Sequence, residues 1–132
     1  MNTLFTTEQY NQLIENGRIA NMDKDNVPVV MVTLPFSSCI WLLSELDPDN
    51  PDIAFGLCDP GMGFPELGYV SLSEIQSVEH PVFKTTVFNN PLFKADYPMS
   101  AYAAAARAHG EIVWDKNTIA RYAKKKTDNL KL

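Results

Sequence analysis

Three carboxylates at Asp47-x-Asp49-x-x-Asp52 invite the reading of a calcium-binding loop. A calcium loop wants oxygen ligands at its first, third and fifth positions, glycine at the sixth and glutamate at the twelfth. Here Pro51 falls on the fifth, Asp52 on the sixth and Cys58 on the twelfth. The segment therefore reads as a hairpin loop kept in water by its acids. Zinc fits no better, because Cys39, Cys58, His80 and His109 show neither C-x-x-C nor H-x₃-H spacing. The two cysteines read as small buried hydrophobes rather than nucleophiles. His80 before Pro81 and His109 before Gly110 read as residues at helix ends, where the dipole favours them. No metal, no cofactor and no catalytic residue is expected.

Gly61-x-Gly63 follows a strand pattern but lacks the third glycine of a dinucleotide loop and the lysine of a phosphate loop. The pair reads as a wide turn with φ > 0. Glu66 is the carboxylate most embedded in the distinctive text around it. A general base needs a second polar group converging on it, and none is identifiable, so Glu66 reads as an acceptor for backbone N–H groups of the loop. Lys124, Lys125 and Lys126 read as the solvated end of a last helix, with weak nucleic-acid contact as the alternative. No aromatic residues interleave with them to stack bases.

The charges are segregated. Between Asp25 and Lys84 there is no Lys or Arg, while Glu45, Asp47, Asp49, Asp52, Asp59, Glu66, Glu74 and Glu79 all lie there. The formal net charge of −5 conceals an acidic body over 1–115 and a basic C-terminal helix or tail over 116–132. Such a body repels nucleic acid and anionic membranes and favours basic partners. A 132-residue chain with 45% hydrophobic residues can bury a core without staples, so one domain is expected. The first residues lack the basic start and apolar run of a signal peptide, and no apolar stretch approaches the ~20 residues that span a bilayer. A cytoplasmic protein with reduced thiols is expected.

The elements that position these groups follow from the patterning. Thr6 and Gln9 make a capping box for a helix with Tyr10, Leu13 and Ile14 on one face and Gly17 as its C′ residue. Strands are expected over 27–34, 39–46, 53–58 and 67–71, with Gly56 and Gly68 marking bulges or close backbone approach. Ser71 and Glu74 launch a short helix that His80-Pro81 stops. A further strand is expected over 82–88, an alanine-rich helix over 101–108 and a last helix over about 118–126. A helix, a run of strands and then helices argue an α+β fold with a mainly antiparallel sheet flanked by short helices. Trp41, Leu43, Phe55, Leu57, Tyr69 and Leu72 are expected to share one core.

The segments Asp52-Ile53-Ala54-Phe55-Gly56-Leu57-Cys58-Asp59 and Phe64-Pro65-Glu66-Leu67-Gly68-Tyr69-Val70-Ser71-Leu72-Ser73-Glu74 resemble a bacterial family of unknown function numbered 2958. The resemblance extends upstream through Trp41 to Pro48. Downstream it takes in Phe93 to Asp96, and Ser100 to Val113, so it covers roughly 1–114. It implies a small protein of the kind common on plasmids and other mobile DNA, and it implies no activity and no catalytic residues.

The function expected is therefore that of a non-enzymatic acidic binding protein of a mobile element. Asp47, Asp49, Asp52, Asp59 and Glu66, on turns and strand ends, would face a basic surface of a nucleic-acid-handling protein, and an anti-defence factor is one form this would take. One alternative is a small enzyme or ligand-binding module with a pocket at the loop 59–66 beside Trp41, Phe64 and Tyr69. The other is nucleic-acid binding through the basic tail.

Overall fold

A computed structural model describes residues 4–19 and 23–130, the last seven by backbone alone. Helix α1 (Thr7–Arg18) precedes strands β1 (Val30–Thr33), β2 (Ile40–Asp47), β3 (Asn50–Asp59) and β4 (Glu66–Ser71). Helix α2 (Leu72–Ser77), strand β5 (Phe88–Asn89) and helices α3 (Met99–His109) and α4 (Lys116–Leu130) complete the order. The five strands form one antiparallel sheet in the order β4-β3-β2-β1-β5, so the α+β expectation holds. Among the described residues no helix is long and apolar enough to cross a membrane.

The alternation of side chains divides the core between the two sheet faces. Met31, Leu42 and Leu57 pack with Tyr102, Ala105 and Ala106 of α3 and with Ile119 of α4. Val30, Val32, Leu43 and Ala54 pack on the other face with Leu13 of α1 and with Leu72 and Ile75 of α2. The expectation of one shared core is corrected accordingly. Leu57 belongs to the first cluster, Leu43 and Leu72 to the second, and Trp41 packs against the second. Phe55 and Tyr69 are cross-strand partners with ring centroids 5.1 Å apart, but Tyr69 is 76% exposed.

A register shift between Leu43 and Glu45 inserts Ser44 as an extra residue opposite Gly56 and Phe55. This bulge reverses the alternation, so Leu46 points to the same face as Leu43. Gly56 sits where a Cβ would come within 2.0 Å of the Leu42 carbonyl oxygen, which bears out the reading of close backbone approach there; at Gly68 the space is open.

Several local expectations hold and others change. The Thr6/Gln9 capping box is formed, with both side chains bonded to the opposite backbone N–H. Gly17 is not the C′ residue: the helix continues to Arg18, and Gly17 faces the β2–β3 hairpin. Gly61 and Gly63 adopt φ of +83° and +87°, as a wide turn requires. Most of 82–88 is not a strand. Lys84 takes φ of +60°, and only a bridge from Glu79 to Thr86 and the two residues of β5 pair there. α3 begins at Met99, its first turn capped from outside by Asp25, whose carboxylate accepts the Ser100 N–H at 3.0 Å and the Ser100 hydroxyl.

Candidate functional site

The five carboxylates singled out by sequence separate between the two ends of β3. Asp47 and Asp49 flank the β2–β3 turn, and Asp52 lies at the start of β3. Asp59 ends β3 and Glu66 begins the antiparallel β4. The Ile53–Ser71 and Cys58–Glu66 pairs are five residues apart, which at ~3.4 Å per residue sets Glu66 about 17 Å from the Asp52 end.

Asp59 is the exception to the expectation that these side chains reach solvent. It is 1% exposed, and its two oxygens are fully engaged. One accepts the Gly61 N–H at 2.8 Å, and the other accepts the Ile112 N–H at 2.9 Å. It holds the 59–65 turn and fastens the α3–α4 connection to the sheet. That is the loop-holding role expected of Glu66. Glu66 itself is exposed, and its side chain takes no hydrogen bond among the described residues.

Asp52 also organises structure, but at the surface. Its carboxylate accepts the Ser71 hydroxyl at 2.6 Å, the Ser73 hydroxyl at 2.9 Å and the Ser73 N–H at 3.0 Å. These bonds, the Ser71 hydroxyl first, hold its pKa below the ordinary carboxylate value. The stabilisation is present above the ordinary carboxylate range and is lost as pH falls through the lowered value. In Asp52→Ala the acid limb of a stability–pH curve is expected to flatten; an unchanged limb would remove Asp52 from this role.

Asp47 bonds its own turn, accepting the Asp49 N–H at 2.9 Å, and both side chains are exposed. Glu74, in the first turn of α2, is exposed beside the Ser71 cap that Asp52 holds. Among the described residues the ion pairs are Arg18–Glu15, Lys24–Glu45 and Lys84–Glu79. None of them neutralises Asp47, Asp49, Asp52, Glu66 or Glu74.

Next to this end of the sheet is a groove of about 560 Å³, lined by Phe5, Thr6, Thr7, Tyr10, Pro51 and Asp52. Sequence reasoning missed it because it forms only when the start of α1 docks beside the β2–β3 turn. The sole local signal was Phe5 and Tyr10 flanking the capping box. The residues of the expected 59–66 pocket do not gather: Phe64 and Tyr69 are 75% and 76% exposed, while Trp41 packs into the opposite face from the Phe55–Tyr69 pair.

Cys39 and Cys58 are half-buried free thiols rather than fully buried ones, and the His80 ring braces a local turn. Burial pushes the Cys58 thiol up to about 11, so it stays protonated and poorly nucleophilic. Iodoacetamide at neutral pH is expected to leave Cys58 unlabelled in the folded protein and to label it after unfolding, as read by mass spectrometry; rapid labelling in the folded state would contradict this. His80 does not cap α2, which ends at Ser77. Its Nδ1 accepts the Val82 and Phe83 N–H groups, each at 3.1 Å, and its Nε2 lies 3.2 Å from the Phe36 carbonyl oxygen. His109 remains in the last turn of α3, as expected. Among the described residues no three His, Cys, Asp or Glu side chains gather to hold a metal ion.

The start of α4 is anchored, with Ile119 buried in the α3-side cluster. The side chains of Lys124, Lys125 and Lys126 lie outside the described residues.

Comparison with curated proteins and with solved structures finds no match. A family model described as a protein of unknown function, DUF2958, matches residues 4–113. That span contains the whole sheet, the acidic turn, the groove and the buried Asp59 tether, and the chain belongs to the DUF2958 family.

Proposed function

We propose that the protein is a non-enzymatic binding protein that engages a basic surface of a protein partner through the β2–β3 end of its sheet. The observation that carries this reading is the set of exposed carboxylates there, Asp47, Asp49 and Glu74, with no ion pair among the described residues. Asp52 adds charge and fixes the geometry, and the groove beside it supplies apolar area for the stem of a Lys or Arg side chain. Buried Asp59 leaves the set, and Glu66 lies at the far end. A cytoplasmic partner that handles nucleic acid fits, because an acidic face can occupy a groove meant for phosphate. Action on behalf of a mobile element, as an anti-defence factor, is the biological form we propose for it.

A reaction centre has less support. Asp59 has both oxygens on backbone N–H groups, Asp52 has its oxygens on Ser71 and Ser73, and Cys58 is held as a thiol.

The test is a pull-down from the native host with the wild-type protein, Asp47→Lys/Asp49→Lys and Cys39→Ser. The charge-reversed protein is expected to lose its partner and Cys39→Ser to keep it. Retention by the charge-reversed protein with loss by Cys39→Ser would overturn the reading.

A further inference from the structure

The two edges of the sheet differ. One edge is β5, only two residues long. The other is β4, six residues that pair with β3 without a register shift. Among the described residues no strand lies on the outer side of β4. Natural edges are usually blunted by lysine, proline, a bulge or a covering element. Glu66-Leu67-Gly68-Tyr69-Val70-Ser71 contains no lysine or proline, and its pairing shows no bulge.

The face beside this edge is also unfinished. Leu67 is the cross-strand partner of Leu57, and Tyr69 that of Phe55, so both stand on the α3 side of the sheet. The helices do not reach that far: Leu67 is 38% and Tyr69 76% exposed. A notch of about 140 Å³ opens next to them, lined by Phe55, Leu67 and Met99 and, on its polar side, by Asp25 and the ion-paired Lys24 and Glu45. At Gly68, on the other face, there is open space.

We propose that the outer edge of β4 accepts an extended segment of a basic protein by strand addition. This deepens the reading above and rests on it, since it takes the partner to be basic. Backbone groups of β4 supply the hydrogen bonds. Leu67 and Tyr69 select apolar or β-branched residues at alternate positions of the incoming strand. The two ends of β4 select its charge: Glu66 stands at one, and Glu74, beside Asp52, just past the other, all without ion pairs among the described residues. A second copy of this chain is the poorer occupant. Antiparallel self-pairing about the strand centre would bring Glu66 of each copy opposite Ser71 of the other, next to that copy's Glu74. Like charges would meet at both ends, between molecules of net charge −5.

The probe is a blocked peptide, acetyl-Lys-Lys-Thr-Val-Thr-Val-Thr-Lys-Lys-amide, added to the full-length protein and followed by amide hydrogen exchange. The outward amides of β4, fast in the free protein, are expected to slow at least tenfold. The same peptide with proline at its central Thr is expected to give no protection. Leu67→Lys is expected to weaken binding at least tenfold with the melting temperature retained. Salt-sensitive binding that leaves β4 amides fast would overturn strand addition while leaving the acidic-surface reading intact. Binding insensitive both to salt and to Asp47→Lys/Asp49→Lys, with β4 protected, would keep the edge and sink the acidic reading. No binding at low salt, or a concentration-dependent dimer that protects β4 without peptide, would overturn the proposal.

Discussion

Asp59→Ala is expected to lower the free energy of unfolding by roughly 2–4 kcal/mol, because charge-assisted hydrogen bonds contribute ~1.5–3 kcal/mol each. The carboxylate is 1% exposed, and both of its bonds go to backbone N–H groups, those of Gly61 and the buried Ile112. Alanine strands the Ile112 N–H in an apolar setting and frees the 59–65 turn. Asp59→Asn keeps one acceptor oxygen but aims an NH₂ group at the second N–H, so its loss should be intermediate or comparable. Chemical denaturation reads the effect directly. A change below about 0.5 kcal/mol, the range of ordinary surface substitutions, would show that Asp59 does not hold the α3–α4 connection. For a catalytic carboxylate the pattern would differ: stability would be kept and an activity lost.

Gly17→Ala should destabilise the protein although alanine is the better helix former. On an exposed helix the exchange would gain ~1 kcal/mol. Here a Cβ would come within 1.8 Å of the Leu46 carbonyl oxygen and 3.2 Å of Pro48 Cδ. The first contact is backbone, so α1 must lift off the β2–β3 hairpin. Overpacking of this kind costs ~1–3 kcal/mol, and the poor alternatives open to a backbone clash put Gly17→Ala at the upper end. Gly17→Val should cost more. A melting temperature at or above wild type for Gly17→Ala would contradict the close docking of α1. The docking bears on function too, since α1 forms one wall of the groove and sits against the acidic turn.

Strand positions were legible because β-branched and aromatic runs bounded by Pro, Gly and Asp have few other readings. The Thr6/Gln9 capping box and the Ser71 cap of α2 were legible because they are local, although Glu74 does not complete a box by accepting the Ser71 N–H. What escaped depended on partners distant in sequence. Nothing around Ser44 announces a bulge, yet that bulge turns Leu46 to the same face as Leu43. The division of Leu42 from Leu43, and of Leu57 from Leu72, requires knowing that both sheet faces are covered. The 82–88 segment has strand composition, but His80 binds the Val82 and Phe83 N–H groups and Lys84 takes positive φ, which turns the chain instead. Asp59 looked like one more loop acid because its donor at Ile112 lies 53 residues away. Gly17 looked like a helix stop because the hairpin that crowds it is equally remote.

The central claim is that exposed carboxylates at the β2–β3 end capture a basic partner. The measurement that tests it most directly is the association rate of that partner with the wild-type protein and with Asp47→Lys/Asp49→Lys across a range of ionic strength. Steering by charge accelerates encounter by ~10-fold or more, and a Debye length of ~8 Å at physiological ionic strength screens it. The wild-type rate should fall steeply with salt, and the reversed protein should start at least ~10-fold slower with a flat or inverted dependence. Equal rates with the same salt dependence for the two proteins would contradict the claim.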